Sequence, residues 1–437
     1  MKILLTYILL GISLSSLAQN DTCLVNSQIG ISFPPVANAE QRDFAKLHLD
    51  SLGIKKIRFG EDWSFREPTQ GEFNWSPLDD RINWVINNGY EVLLTIQSRG
   101  PSWACGLQNA NSCVFIDNLF FKNYIDSLLS RYSNQIDKIQ FGNEWQTNFW
   151  YIGSAEEFIA SHNVLYNSVQ EYSPTTEVVL GGFTTSSLRY LAYCNGYINH
   201  FIEDDGTIID STLIDDICDA DFLIAGRERI DSVLANALYD IIDLHFYDDY
   251  EIWPELFSNF IDTLTTPILV SEFGGPNMNV EPYSEEYQAD RTFKYIKTLD
   301  SLGIPEIYYF KLVEGTANPA HSTSGLIEDT TLHIKPVYDI VQSFVKCVVL
   351  GSDYLELDQF KMYPNPAKNI LSFEYNNSEL KNSEIFIYNS MGKLIIREKT
   401  NNFNNFVINT SKFQSGYYLV VVLSDKQKIY SNKLIIN

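Results

Sequence analysis

Two glutamates close short apolar runs in this chain, Glu144 in Ile139-Gln140-Phe141-Gly142-Asn143-Glu144-Trp145 and Glu272 in Pro267-Ile268-Leu269-Val270-Ser271-Glu272-Phe273-Gly274. An apolar run of strand length that ends in a carboxylate and a turn glycine sets the acid at the strand's C-terminal rim. Alternating β/α folds assemble their active sites there. Two such acids facing each other can break a glycosidic bond: one protonates the leaving oxygen, and the other attacks the anomeric carbon or activates water. A single glutamate after a strand is usually a solvated loop residue, so it is the pair in matching contexts that carries the reading.

Neighbouring strand ends would have to orient a sugar and tune the two carboxylates. Arg58 closes the second candidate strand, where a guanidinium can hold the attacking carboxylate ionised; an ordinary structural ion pair would use the same residue. Asn143 stands beside the acid, suited to bonding a sugar hydroxyl. His245 and Tyr247 alternate with Phe246 and so point to one side of a strand, with the Tyr247 hydroxyl a candidate donor to Glu272. A buried, satisfied imidazole is the competing reading for His245. Trp63, Trp103, Trp145 and Trp150 fall in the loops after the second, third and fourth strands. Their faces can stack on pyranose rings, with plain loop packing expected for one or two of them. No Cys-x-x-Cys or His-Glu-x-x-His spacing occurs and the six histidines are scattered, so neither a metal site nor a cofactor is expected.

The elements that would carry these residues alternate regularly. Candidate strands are Gln28 to Phe33, Lys55 to Phe59, Glu91 to Ile96, Lys138 to Phe141, Glu177 to Leu180, Ile241 to Phe246, Pro267 to Val270 and Glu306 to Phe310. Between them lie amphipathic helices with readable ends. Ser76-Pro77 opens one that closes at Gly89, and Ser154 with Glu157 in capping-box position opens another. Eight β/α units over roughly 320 residues imply one (β/α)8 barrel of the TIM type. An insertion from Arg189 to about Asp231, with Tyr190, Tyr193 and Tyr197 and an acidic stretch, would either wall a groove or be a solvated loop. From Tyr363 the pattern becomes short strands of period two: Ile370 to Tyr375, Glu384 to Asn389, Lys393 to Arg397, Tyr417 to Leu423 and Lys433 to Ile436. That predicts a small all-β sandwich with no paired acids.

Composition sets the compartment. Lys2, the apolar stretch Ile3 to Ile12 and Ser16-Leu17-Ala18 have the order of a secretory signal peptide cut after Ala18. No later run is apolar for the ~20 residues a membrane span needs. Six cysteines suit an oxidising destination; they allow 15 connectivities, and the favoured pairs are Cys105 with Cys113, Cys194 with Cys218, and Cys23 with Cys347, since the ends of a closed barrel come together. A net charge of −24 argues against nucleic acid or an anionic membrane as partner. From Gly351 onward 10 Lys/Arg stand against 8 Asp/Glu, a break that supports a domain boundary near residue 350. The expected organisation is a signal peptide (1–18), a barrel (19–349), a linker (350–362) and a sandwich (363–437).

The Asn143-Glu144 pair, Glu272, Arg58 and His245-Phe246-Tyr247 resemble the clan A glycoside hydrolases. So do Trp63-Ser64-Phe65-Arg66-Glu67-Pro68, Gly71-Glu72-Phe73-Asn74-Trp75 with Leu78-Asp79, and Pro101-Ser102-Trp103, which are similar to stretches in families 39, 42 and 5. The resemblance implies retaining chemistry, with Glu144 as acid/base and Glu272 as nucleophile. The chain departs at Trp145, where many members carry proline, and at Tyr308-Tyr309-Phe310-Lys311, where many carry tryptophan, so family and substrate stay open. Tyr363-Pro364-Asn365-Pro366, Ile387-Tyr388-Asn389, Gly392-Lys393, Ser415-Gly416-Tyr417-Tyr418 and Lys433-Leu434-Ile435-Ile436 resemble a type IX secretion sorting domain. A carbohydrate-binding module is its structural rival, but the block has no tryptophan for a platform. The resulting expectation is a secreted or surface enzyme that reaches the exterior through the periplasm. It would cleave a β-linked polysaccharide or oligosaccharide by double displacement. A non-catalytic glycan-binding barrel, a surface lectin, is the alternative.

Overall fold

The computed structural model describes residues 23–210, 212, 217–261, 266–279, 282–315, 321–347, 360–375, 383–389, 394–400, 406–424 and 427–436. The expected signal peptide, most of the expected linker, and parts of the acidic insertion lie outside them. The chain divides into two compact units, Thr22–Cys347 and one that contains Val348–Asn437.

In the larger unit eight parallel strands close into a barrel: β1 Gln28–Ser32, β2 Lys56–Glu61, β3 Glu91–Ile96, β4 Lys138–Phe141, β5 Glu177–Phe183, β6 Ile241–Tyr247, β7 Ile268–Gly274 and β8 Glu306–Phe310. Each strand pairs with its sequence neighbours, and β8 pairs with β1. The surrounding helices are α1 Ala39–Leu52, α2 Ser76–Asn87, α3 Asn118–Arg131, α4 Ala155–Tyr172, α5 Thr185–Cys194, α6 Asp221–Asn236, α7 Trp253–Ile261, α8 Glu285–Ser301 and α9 Pro336–Val345. The local signals act as expected. Pro77 sits in the first turn of α2 and Gly89 follows its end at φ 63°, while Ser154 and Glu157 form the reciprocal capping box of α4.

Strand periodicity divides the side chains between two cores. Outward residues such as Ile57, Leu94, Ile139, Leu180, Leu244 and Ile307 are buried against the helices. The inward residues stack in layers. At the bottom Glu306 takes ion pairs from Lys56 (3.2 Å) and Lys138 (3.0 Å). Above them Leu93, Val179, Ile241, Leu269 and Tyr308 form an apolar plug. Gly30 keeps the interior closed, because a Cβ there would meet Tyr308 at 2.5 Å. The third layer is polar: Arg58, Thr95, Gln140, Asp243 and Ser271, all buried. It forms the floor of the cleft at the strands' C-terminal ends.

The insertion folds as a hairpin of His200–Ile202 and Ile208–Asp210 with its own small core of Tyr193, Phe201 and Ile209, beside the Cys194–Cys218 disulfide. The other two favoured cysteine pairs, Cys105–Cys113 and Cys23–Cys347, are also bonded. No helix among the described residues is long and apolar enough to cross a membrane.

The second unit holds two antiparallel sheets, a three-stranded one and a four-stranded one. Their strands are β9 Phe360–Tyr363, β10 Ile370–Tyr375, β11 Ser383–Asn389, β12 Leu394–Thr400, β13 Phe406–Asn409, β14 Gly416–Ser424 and β15 Gln427–Ile436. Leu371, Phe373, Ile385, Ile387, Val420, Val422 and Leu434 form their core. Strands β9 and β13 escape the sequence pattern because each is only four residues long.

Candidate active site

Glu272 owes its aim to a β-bulge. Against β6, Leu244 pairs with Val270 and His245 with Glu272, so Ser271 is an extra residue. The bulge lets Ser271 turn into the polar floor while its neighbour Glu272 faces the cleft, a placement strict alternation would forbid. Ser271 is anchored by Asp243, which accepts from its backbone N–H at 2.7 Å and its hydroxyl at 2.5 Å.

Both Glu272 oxygens are held. Oε1 accepts from Arg58 Nη1 at 2.6 Å and Oε2 from the Tyr247 hydroxyl at 2.8 Å. Arg58 is fully buried; its Nε donates to Thr95 Oγ1 (3.0 Å) and its Nη2 to Asn143 Oδ1 (2.7 Å). Burial alone would favour a neutral Glu272, but His245, Arg58 and the Tyr247 bond outweigh it and hold the carboxyl below its usual range. Burial beside this carboxylate pushes the Tyr247 hydroxyl well above its ordinary range, so it stays a donor.

Glu144 reaches the cleft by a different device. It lies three residues past β4 at φ 49°, a left-handed conformation that side-chain-bearing residues rarely adopt and that costs of order 1 kcal/mol. There its Oε1 lies 2.8 Å from His245 Nδ1. On the other side, His245 Nε2 is 3.2 Å from Ser271 Oγ and 3.4 Å from Asp243 Oδ2. Burial would strip the imidazole of its proton, but Glu272, Asp243 and Glu144 together raise it to about 10, so both ring nitrogens carry protons near neutrality. The ring fits because position 182 is glycine; a Cβ there would stand 2.1 Å from His245 Nε2.

Ligand-capable atoms of Glu144, His245 and Glu272 lie within 4.8 Å of one another. That spacing is one a metal ion could span, but here the three side chains are engaged by protein groups: both Glu272 oxygens accept hydrogen bonds, and Glu144 Oε1 lies 2.8 Å from His245 Nδ1.

The cleft measures about 900 Å³. Its lining includes Phe33, Asn143, Glu144, Trp150, Tyr247, Glu272 and Phe310. Because Arg58 occupies the Asn143 oxygen, the Asn143 amide NH2 is the group left for a ligand.

Of the four rim tryptophans, only Trp150 lines this cleft. Trp63 is fully buried, stacked on Tyr124 with its indole N–H on Glu67 (2.7 Å). Trp103 packs edge-on against Trp63 and Phe120 and donates to the Glu67 carbonyl (3.1 Å). Trp145 is also fully buried, stacked on Phe158 and bonded to the Gly181 carbonyl (2.8 Å). The expectation that Trp63 and Trp145 form sugar platforms is therefore corrected, since both indoles are sealed in the core; Trp103, half-buried beside Trp63, stands outside the cleft lining. The insertion's tyrosines do not line the cleft either, but its hairpin turn does, through Asp204.

Sequence reasoning missed Asp243, Ser271, Gln140 and Thr95, which link the charged groups from below. A signal was present, since Asp243 shares the period-two face of His245 within an otherwise apolar strand. Lys311 and His321, also in the cleft lining, were missed as well.

Residues 361–437 match the family model of a secretion system C-terminal sorting domain. This type IX sorting tail directs the protein to the cell surface or the medium. Among curated proteins, an ulvan lyase from Nonlabens ulvanivorans is 27% identical over 117 residues, 27% of this chain and 21% of that protein. The chain thus matches about a fifth of that relative's length. The folded chain is similar to an exo-β-1,4-mannosidase from Opitutaceae bacterium strain TAV5 (TM-score 0.51, 13% identity), covering 74% of this chain and 61% of that one. It is also similar to a family 39 glycoside hydrolase from Bacteroides cellulosilyticus WH2 (TM-score 0.50, 12% identity, 96% and 82% covered). A glucosidase from Croceicoccus marinus gives TM-score 0.52 and 11% identity, with 89% and 94% covered. These likenesses establish the (β/α)8 fold shared with clan A glycoside hydrolases.

Proposed function

We propose that the protein is an exported retaining glycoside hydrolase that cleaves β-linked glycan. The observation that carries the reading is the meeting of Glu144 and Glu272 beside one histidine, with ligand-capable atoms of all three within 4.8 Å. Retaining carboxyl pairs are about 5–5.5 Å apart, whereas inverting pairs need about 6.5–9.5 Å to admit a water.

Glu272, kept ionised by Arg58 and Tyr247, attacks the anomeric carbon while Glu144 gives its proton to the departing glycosidic oxygen. The C–O bond breaks and a glycosyl ester of Glu272 forms. Glu144, now a carboxylate, takes a proton from water, which attacks the same carbon and frees Glu272. Asn143 offers its amide to a sugar hydroxyl and Trp150 an aromatic face. Residues 19–349 would be the catalytic part, 350–362 a linker, and 363–437 the address read by the type IX machinery.

The test is turnover of arrayed β-glycans by wild type, E272Q and E144A. E272Q should lose hydrolysis on every substrate. E144A should still form the glycosyl ester from substrates with good leaving groups, and azide should restore turnover as a β-glycosyl azide. An α-glycosyl azide from E144A would reverse the two roles. Unsaturated uronyl products, read by their ultraviolet absorbance, would point to elimination, the activity in the ulvan lyase's name. Binding without any product would favour the lectin.

A further inference from the structure

We infer that the nucleophile's side of the cleft is built for an anionic sugar, one that carries a carboxylate or a sulfate ester on the ring lying against Glu272. The inference rests on the hydrolase reading for where that ring sits, and it concerns two residues the proposed chemistry does not use.

Lys311 follows the last residue of β8, the strand beside β7, and lines the cleft with Glu272. Lys311 is half-buried, and its ammonium donates to the Gly315 carbonyl. No carboxylate among the described residues lies within ion-pair distance of it. The fields of Asp329 and Glu272 reach it, but Asp329 is exposed to solvent and both Glu272 oxygens are already held by Arg58 and Tyr247. A partly desolvated ammonium with no carboxylate in direct contact is costly, and a ligand anion lowers the cost.

His321 supplies the second, independent observation. It is 7% exposed, stacks on Tyr247 at 4.2 Å, and lines the same cleft. Its Nδ1 is buried with no hydrogen-bond partner among the described residues. Unsatisfied buried polar atoms are rare in folded proteins and at a cleft wall point to a ligand's hydrogen bond. A sugar hydroxyl could satisfy His321, whereas an anion would satisfy His321 and also bring a counter-charge into contact with Lys311. Of the lining carboxylates that would repel such a group, Asp204 is tied to Arg189 at 3.2 Å and Glu272 to Arg58 at 2.6 Å. Farther along the cleft Arg99, 3.4 Å from Asp62 and 43% exposed, adds a second cation for a longer anionic chain. The whole chain is acidic, at −24, so recognition here is local rather than long-range steering.

The experiment uses full-length Glu144→Gln protein, which keeps the charge of Glu272 beside Lys311 and leaves bound glycan uncut. Its binding is measured on an array of β-glycans presented in pairs: uronate-containing chains with their carboxyl-reduced forms, and sulfated chains with their desulfated forms. The anionic member of at least one pair should bind ~30-fold or more tighter, and whichever pair responds identifies the anion. Adding Lys311→Met should abolish that discrimination, whereas Lys311→Arg should keep most of it, both with unchanged melting temperature. Equal binding of charged and neutral members overturns the inference. So does binding to no anionic glycan, or discrimination that survives Lys311→Met. If wild type leaves the preferred anionic glycan intact, the hydrolase reading fails while the anion site stands.

Discussion

Arg58 and Glu272 stand 214 residues apart in the chain and meet at 2.6 Å, the arginine fully buried and the glutamate nearly so. One guanidinium also fixes Asn143 and Thr95, so it positions a group beside the acid as well as the attacking carboxylate. Lysine cannot reproduce three diverging hydrogen bonds. Arg58→Lys should lower kcat/KM by about 10²-fold or more, in the range for losing a preorganised charge-stabilising donor. Glu272 is held below its usual pKa partly by this cation, so the acid limb of the kcat/KM profile should move to higher pH in the variant. An unmoved acid limb would assign Arg58 to scaffolding alone.

His245 gives the fold an alkaline limit. Its folded-state pKa is raised from 6.5 to about 10 by the carboxylates around it, against the opposing pull of burial. A raised pKa means that the folded state binds the proton more tightly than the unfolded chain. The stabilisation is complete below about 6.5, shrinks as pH rises above it, and is gone once pH passes through about 10. Wild-type melting temperature should therefore fall between pH 7 and 10, and His245→Gln should be less stable at pH 7 with a flatter profile over that range. Parallel profiles by differential scanning calorimetry would contradict this charge assignment.

What could be read in advance follows from which interactions are local. The alternation of apolar runs, the Ser76-Pro77 start, the Ser154–Glu157 box and the two strand-end glutamates are local signals, and they correspond to elements of the barrel. The bulge at Ser271 is not local, because it exists only in the register between β6 and β7. Neither is the space beside Gly182, whose occupant His245 is 63 positions on. The tryptophans failed for the same reason. A loop indole stacks on sugar or on Tyr124 and Phe158 according to how the loop folds back, and composition does not record that.

Trp63 and Trp150 should separate cleanly in mutagenesis. Trp63 is fully buried among Tyr124, Trp103, Phe115 and Phe121, so Trp63→Ala should cost about 3–5 kcal/mol of stability. Trp150 is only half-buried and lines the cleft. Trp150→Ala should shift melting temperature little and weaken glycan binding by about 5-fold or more, a stacking contact being worth roughly 1 kcal/mol or more. Urea denaturation and calorimetric binding on the two variants check the contrast, and equal stability losses would remove Trp150 from the binding surface.

Cys23 and Cys347 close a loop of 324 residues around the barrel, from just before β1 to just after α9. The seam they secure is the β1–β8 pairing, where the two ends of the sheet meet and no short connection joins the strands. Asp300 reinforces it, accepting from the backbone N–H groups of Val25, Asn26 and Ser27 at 2.8–3.1 Å. In the chain-entropy account a cross-link over so long a loop limits the unfolded ensemble and leaves folded contacts untouched. The C23S/C347S double variant should therefore lose about 2–5 kcal/mol in guanidinium unfolding, with wild-type activity at low temperature. Reductant should lower the wild-type midpoint toward that of the double variant and move the variant much less. Peptide mapping without reductant that finds both thiols free would remove the bond and the stability attributed to it.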